Sequence, residues 1–197
     1  MDSRIKAVTF NEENHTYFYN GKSLKGVTGV IGKLMGKSFP DTDTVKLATL
    51  YGVDVHKEVE NYFNNNDHWF NNSELSTEGA KWVVDTLKDF CSYTPEFFHS
   101  MECEVLVSDF EGTASKVDIV LRTQDNKAYL FDIKTTSHFD RPYCSLQLAV
   151  YKKLFEACYG MEVEGMFVLA TKLKRKFKIL DQEESKVNKV LEMNKGE

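Results

Sequence analysis

Two consecutive strands that carry their own charges constrain this chain more than any other feature. In Ser115-Lys116-Val117-Asp118-Ile119-Val120-Leu121-Arg122, a period of two sets Asp118 on the face opposite Val117, Ile119 and Leu121. In Tyr129-Leu130-Phe131-Asp132-Ile133-Lys134 the same period puts Asp132 and Lys134 on one face and Tyr129, Phe131 and Ile133 on the other. Gln124-Asp125-Asn126 closes a tight hairpin between them. A turn there brings Asp118 opposite Asp132, with Cβ atoms ~5 Å apart.

Like charges opposed on a sheet destabilise it, and burying either one unpartnered costs several kcal/mol. A cation must offset that. A divalent metal does so through hard oxygen ligands, and Mg²⁺ takes one or two carboxylates together with water and phosphate oxygens. Lys134, two residues along on the same face, is a point charge able to orient or deprotonate a water and to stabilise negative charge on a phosphate. Asp-x-Lys beside a second Asp therefore makes chemical sense for phosphodiester hydrolysis. Alone, Asp-x-Lys arises by chance in many proteins, so the rest of the chain has to support it.

The chain has 197 residues, 42% of them hydrophobic and 13% aromatic, which is enough for one full core and excludes disorder or low complexity. Residues 7 to 24 read as a hairpin of two β-rich runs turning at Asn20-Gly21. A helix over Thr28 to Met35 and a loop over Gly36 to Thr44 come next. The helix from Thr44 to Phe63 carries the stripe Leu47, Tyr51, Val55, Val59 and Tyr62, and Asn64 to Asn72 ends it. Ser76 to Tyr93 is a further helix capped by Ser76-Thr77-Glu78. Met101 to Val107, Ser115 to Arg122 and Ala128 to Thr135 read as strands. Asp140 and Pro142 open a helix that Gly160 stops after Tyr159. Strands over Gly165 to Leu173 and Lys174 to Leu180, then a polar helix over Glu183 to Met193, complete an α/β order with the sheet in the middle. The expectation is one domain over 1–197, its N-terminal hairpin and helices (about 1–95) packed on a core (about 96–197).

Thirty acidic against 25 basic residues leave a formal charge of -5, which argues against general coating of polyanions and confines any nucleic-acid contact to a local patch. Cys91, Cys103, Cys144 and Cys158 form no C-x-x-C pair and imply no metal cluster. With no apolar signal region at the start, and Met166 to Ala170 far too short to span a bilayer, the chain reads as cytoplasmic with reduced thiols and no membrane partner.

Gly112 and Asp118, then Asp132-Ile133-Lys134, then Gln147-Leu148-Ala149-Val150-Tyr151, with His56 on an upstream helix, follow one another in a specific order. In that order the chain resembles the PD-(D/E)XK nuclease superfamily, in its RecB-like exonuclease branch with many phage-encoded members. The segments Tyr19 to Leu24 and Val27 to Ile31 also resemble the start of such phage enzymes. Each motif is weak and the ordered set is strong. The resemblance implies a central mixed β-sheet flanked by helices, a restriction-endonuclease-like core. It implies a metal-dependent DNA nuclease, an exonuclease in recombination, repair or phage DNA processing in a bacterial or phage-infected cytoplasm. Two rivals remain: a non-catalytic nucleic-acid-binding or partner-binding module of the same fold, and a structure-specific endonuclease. Implied cofactors are Mg²⁺ or Mn²⁺, and no iron–sulfur cluster, since the members that hold one need four cysteines, three of them clustered near the C-terminus, an arrangement lacking here. DNA is the implied partner, with a helicase, a recombinase, a single-strand-binding protein or further copies of the chain as candidates beyond it.

Carried over residue by residue, the resemblance makes His56, Asp118, Asp132 and the Ile133 carbonyl the metal ligands, and Lys134 catalytic beside Asp118 and Asp132. Gln147 and Tyr151, four apart and so on one helical face, become supports of the catalytic face. Read without it, they belong to an ordinary amphipathic helix with Tyr151 pointing outward, and His56 to a surface or capped core position. Glu104 and Glu60 are second-tier candidates, because alternation places Glu102 as well as Glu104. Lys116, Thr135, Lys174, Arg175 and Lys176 are candidate nucleic-acid contacts. The run Lys172 to Lys178 has two readings, an edge strand protected by lysines or a phosphate-tracking rim.

Overall fold

The structure, a computed structural model, describes residues 1–37, 42–64, 74–93, 97–193 and 195. A 3₁₀ turn at Ser3–Ala7 leads into β1 (Val8–Asn11), β2 (Thr16–Tyr19) and β3 (Lys22–Gly26). The expected N-terminal hairpin is thus a three-stranded meander. The extra turn forms where Asn11 Oδ1 accepts the Glu13 N–H and His15 adopts a positive φ. The second turn is the anticipated one: Asn20 and Gly21 both have positive φ, as a type I′ turn requires.

Then follow α1 (Val27–Leu34), α2 (Asp43–Asn64), α3 (Glu78–Ser92), β4 (Phe98–Ser108), β5 (Thr113–Thr123), β6 (Lys127–Lys134) and α4 (Arg141–Tyr159). The chain ends in β7 (Glu162–Ala170), a 3₁₀ turn at Thr171–Leu173, β8 (Arg175–Ile179) and α5 (Glu184–Glu192). Local chemistry explains these limits. Thr77 caps α3 by accepting the Ala80 N–H, Asp140 caps α4 by accepting the Tyr143 N–H, and Gly160 closes α4 in the left-handed conformation. The anticipated strand over Gly165 to Leu173 ends earlier, because Thr171 to Leu173 winds into the 3₁₀ turn and Lys174 takes a positive φ. The stripe on α2 packs only from Tyr51 onward, since Leu47 is exposed. Most of the anticipated loops over 36–44 and 64–72 lies outside the described residues.

Among the described residues, eight strands join one mixed sheet in the order β1-β2-β3-β5-β6-β7-β8, with β4 along the other side of β5. The fold is a mixed α/β sandwich. Val55, Val59, Val83 and Leu87 of α2 and α3 cover one face with Ile119, Phe131 and Leu169. Val30, Leu148, Val150, Phe155 and Val190 of α1, α4 and α5 cover the other with Val120, Leu130 and Val168. Among the described residues no helix is long and apolar enough to cross a membrane.

Two irregularities of β5 place the candidate site. Antiparallel β4 runs beside β5 from end to end, so β3 and β6 must share its other edge. Parallel β3 pairs at Thr113 and Ala114, and antiparallel β6 pairs only from Ile119 to Arg122. The sheet forks, and residues 115–118 lie in the fork. The second irregularity is a change of face. Ile119 and Leu121 pack under α2 and α3, whereas Val117 packs with Val120 on the α4 side. On β4, Cys103 and Val105 part in the same way around Glu104, whose φ is +54°. The expected common face for Val117, Ile119 and Leu121 is therefore corrected. Strict alternation fails where a left-handed residue rotates the strand pair, at a cost on the order of 1–2 kcal/mol.

Candidate active site

The fork gathers charged side chains from four elements. The register of β5 and β6 is the anticipated one, but the ladder stops at Ile119 and Phe131. Instead of facing Asp132 across a regular pair, Asp118 inserts its carboxylate, and Oδ2 accepts the Ile133 N–H at 2.6 Å. Asp118 Oδ1 lies 3.7 Å from His56 Nδ1, and Glu104 Oε1 lies 4.0 Å from the same nitrogen. The three side chains offer ligand atoms all within 4.8 Å of one another. Glu104 Oε2 also lies 3.5 Å from Lys116 Nζ, which rests 4.4 Å over the Phe10 ring of the N-terminal meander.

Backbone close approach brings His56 there. A Cβ on Gly79 would meet Val55 Cγ2 at 2.8 Å, so only glycine lets α3 sit this tightly on the residue before His56. A Cβ on Gly52, one turn back, would meet Thr135 Oγ1 at 2.9 Å. Thr135 thus lies at the end of β6 beneath α2.

Asp132 is turned the other way and buried. Its Oδ1 accepts from Lys134 Nζ at 3.0 Å and from Gln147 Nε2 at 2.7 Å. Lys134 Nζ touches Oδ2 at 2.8 Å but outside hydrogen-bond geometry, which leaves Oδ2 buried with no hydrogen bond among the described residues. Lys134 also donates to Gln147 Oε1 at 3.1 Å, and Gln147 Nε2 donates to Tyr151 OH at 2.9 Å. Tyr151 is buried, so the outward-pointing reading of it is wrong.

The charges are strongly interdependent. Burial opposes a charge on His56, yet Asp118 and Glu104 carry it up to about 9. Burial pushes the Asp118 carboxyl up, helped by Asp132 and Glu104 against the pull of His56. Burial also works against the Glu104 charge, but His56 and Lys116 hold its carboxyl below the usual range. Lys134 is held up by Asp132 and Asp118 against the cost of burial. It is therefore a cation in this arrangement, better suited to orienting and stabilising charge than to taking a proton.

Of the candidate residues, the fork unites His56, Glu104, Asp118, Asp132, Lys134, Gln147 and Tyr151. Between the two glutamates of β4 it selects Glu104, because Glu102 pairs with Arg122 at 2.6 Å. Glu60, a turn beyond His56, is outside the three-residue group and acts on Cys103. Ile133 enters through its N–H. The basic run points elsewhere: Lys172 lies over Tyr51, Lys174 donates to the Glu78 carbonyl, and Lys176 lies over Phe90, lowered by burial. Arg175 is exposed at the edge of the sheet. Two site residues carried no signal in the motif order. Ser115 Oγ donates to Tyr151 OH at 3.1 Å, and Tyr17 is buried in one core with Ala114, the neighbour of Ser115.

No protein-family description and no curated protein matches this sequence. Among solved structures the chain is similar to a protein of Eubacterium rectale provisionally named an exonuclease. The two are 13% identical with a TM-score of 0.39, over 87% of this chain and 77% of that one. It is also similar to a protein named SSO0001, 12% identical with a TM-score of 0.34, over 73% of this chain and 84% of that one.

Proposed function

We propose that this chain is a metal-dependent nuclease that hydrolyses phosphodiester bonds of DNA, an exonuclease of RecB-like PD-(D/E)XK type. The observation that carries the reading is the group of His56, Glu104 and Asp118, whose ligand atoms all lie within 4.8 Å of one another, together with the buried Asp132, whose Oδ2 has no hydrogen bond among the described residues. Two carboxylates and an imidazole within reach of one point, beside a buried carboxylate oxygen with no hydrogen bond, are oxygen and nitrogen donors that fit a small divalent cation. The donor set suits Mg²⁺, and its imidazole suits Mn²⁺ as well.

His56, Glu104, Asp118 and Asp132 would hold the ion, with the Ile133 carbonyl adjoining. The ion would supply Lewis acidity toward a phosphoryl oxygen and lower the pKa of a water. The protein's own groups do the positioning. Lys134 places a fixed ammonium where negative charge grows on the phosphate. Gln147 holds both Lys134 and Asp132 in place, and the Asp118 bond to Ile133 N–H fixes the carboxylate against β6. Lys116 supplies a second cation on the meander side, and Thr135 lies at the end of β6.

Incubation with linear and circular DNA is the direct test. Cleavage of linear DNA with Mg²⁺ or Mn²⁺, abolished by EDTA, is the expected result. Cutting of closed circles would identify an endonuclease, and cleavage that survives exhaustive chelation would remove the metal from the mechanism.

The basic run gives a finer expectation. Lys174 and Lys176 are engaged with α3, so of Lys174, Arg175 and Lys176 only Arg175 should meet phosphate. Replacing all three with Gln should flatten the slope of log K against log salt by about 0.9, the value of one duplex phosphate contact. A slope reduced by nearly three times that amount would mean that both lysines leave α3 for DNA.

A further inference from the structure

Glu104 is held between two cations. Its Oε1 lies 4.0 Å from His56 Nδ1, and its Oε2 lies 3.5 Å from Lys116 Nζ. The strand pair accounts for the crowding. Cys103 pairs with Ile119 and Val105 with Val117, which leaves Glu104 and Asp118 as the one residue between those pairs on each strand. Two carboxylates so placed on neighbouring strands repel each other, and cations beside them offset the repulsion.

The two cations differ in what they can do when a divalent ion binds. An imidazole has a lone pair to offer and can join the ion as a ligand. An ammonium has three donors and no acceptor, so Lys116 can only compete with the ion for Glu104. Its position also suits it to leave. The side chain is partly exposed, and the ammonium rests 4.4 Å over the Phe10 ring, whose face attracts a cation without neutralising it. A lysine whose carboxylate is taken is free for a phosphate, which it binds as a point charge.

We propose that Lys116 exchanges partners: it answers Glu104 until a divalent ion takes that carboxylate, and it then binds a phosphate of the DNA. The phosphate half rests on the proposed nuclease reading, whereas the Glu104 half rests on the contacts of Lys116 alone. Ion and DNA are thereby linked, each raising the affinity for the other, because DNA draws off the cation that competes with the ion.

The test compares the wild-type chain with Lys116→Gln and Lys116→Arg. Binding of Mn²⁺ alone is followed by electron paramagnetic resonance, and binding of a fluorescent DNA duplex by anisotropy across a salt series, in EDTA and in Ca²⁺. Lys116→Gln should bind Mn²⁺ about threefold more tightly, the size of one partly exposed ion pair, and Lys116→Arg should return toward wild type. In Ca²⁺, Lys116→Gln should flatten the slope of log K against log salt by about 0.9, one duplex phosphate contact, while in EDTA its slope should match the wild type. Unchanged Mn²⁺ affinity overturns the competition at Glu104. An unchanged slope in Ca²⁺ means that Lys116 stays on Glu104, and an equal loss of slope in EDTA means a phosphate contact that needs no ion; either overturns the exchange. If the duplex does not bind in EDTA, the Mn²⁺ and Ca²⁺ measurements decide. A wild-type chain that binds Mn²⁺ but cleaves no DNA overturns the nuclease reading instead, and the Mn²⁺ comparison then decides the competition at Glu104 on its own. One that binds no Mn²⁺ overturns both.

Discussion

Asp118→Asn and Asp132→Asn should each lower DNA hydrolysis on the order of a thousandfold, since each removes charge that would hold the ion and several kcal/mol of transition-state stabilisation goes with it. Their effects on the fold should differ in sign. Asp118 is one of three carboxylates sharing the fork, and burial and its neighbours already push it toward the neutral form. The amide oxygen that Asp118→Asn introduces can still accept the Ile133 N–H. Asp118→Asn should therefore unfold at the same or a higher denaturant midpoint. Asp132 is paired with Lys134, so Asp132→Asn leaves an ammonium without its counter-charge in a largely buried site. That variant should lose about 1–3 kcal/mol, less than the cost of breaking a fully buried pair because Lys134 keeps some solvent contact. Equal stability in the two variants would contradict the division between a repelling group and a paired one.

Lys134→Ala and His56→Ala should separate turnover from metal affinity. Lys134 bonds Asp132 and Gln147, whereas His56 faces Asp118 and Glu104. Lys134→Ala should reduce kcat by about 10²–10³, the loss seen when one preorganised charge-stabilising donor is removed, with little change in the Mg²⁺ midpoint. His56→Ala should move that midpoint upward, and further for Mn²⁺ than for Mg²⁺, because imidazole favours the softer ion. Titration of each variant with both ions is the measurement. The same displacement of the metal midpoint in both variants would invalidate the assigned roles.

The register of β5 and β6 was legible because two local signals coincide, a period-two alternation and a turn whose length sets register; that the ladder stops before Asp118 and Asp132 can face each other was not. The helix limits around Thr77, Asp140 and Gly160 were legible for a similar reason, since caps depend on one or two adjacent residues. The face change at Glu104 was not. A left-handed residue inside a strand has no composition of its own when it is a glutamate, so alternation carried Val117 to the wrong core. The same rotation decides between Glu102 and Glu104, which spacing alone leaves level. Tyr17 and Ala114 lie 97 positions apart in the chain and share one core only because β3 joins β5 below the fork, a pairing between segments with no shared pattern. The direction of Lys174 and Lys176 depends on α3 packing against the sheet edge, which a run of positive charge does not encode.

The forked strand also makes the site a seam. The meander and the β6-β7-β8 wing grip β5 at separate stretches and have no ladder with each other across residues 115–118. Side chains of β5 take over there: Asp118 accepts from the β6 backbone and Ser115 donates to Tyr151 of α4. A cation drawn between Glu104, Asp118 and Asp132 would act as a rivet through the seam, tying β4, β5 and β6 where backbone bonds are missing. Occupancy of the site and rigidity of the whole sheet would then be two readings of one equilibrium, because a ligand that binds only the closed seam stabilises it by mass action.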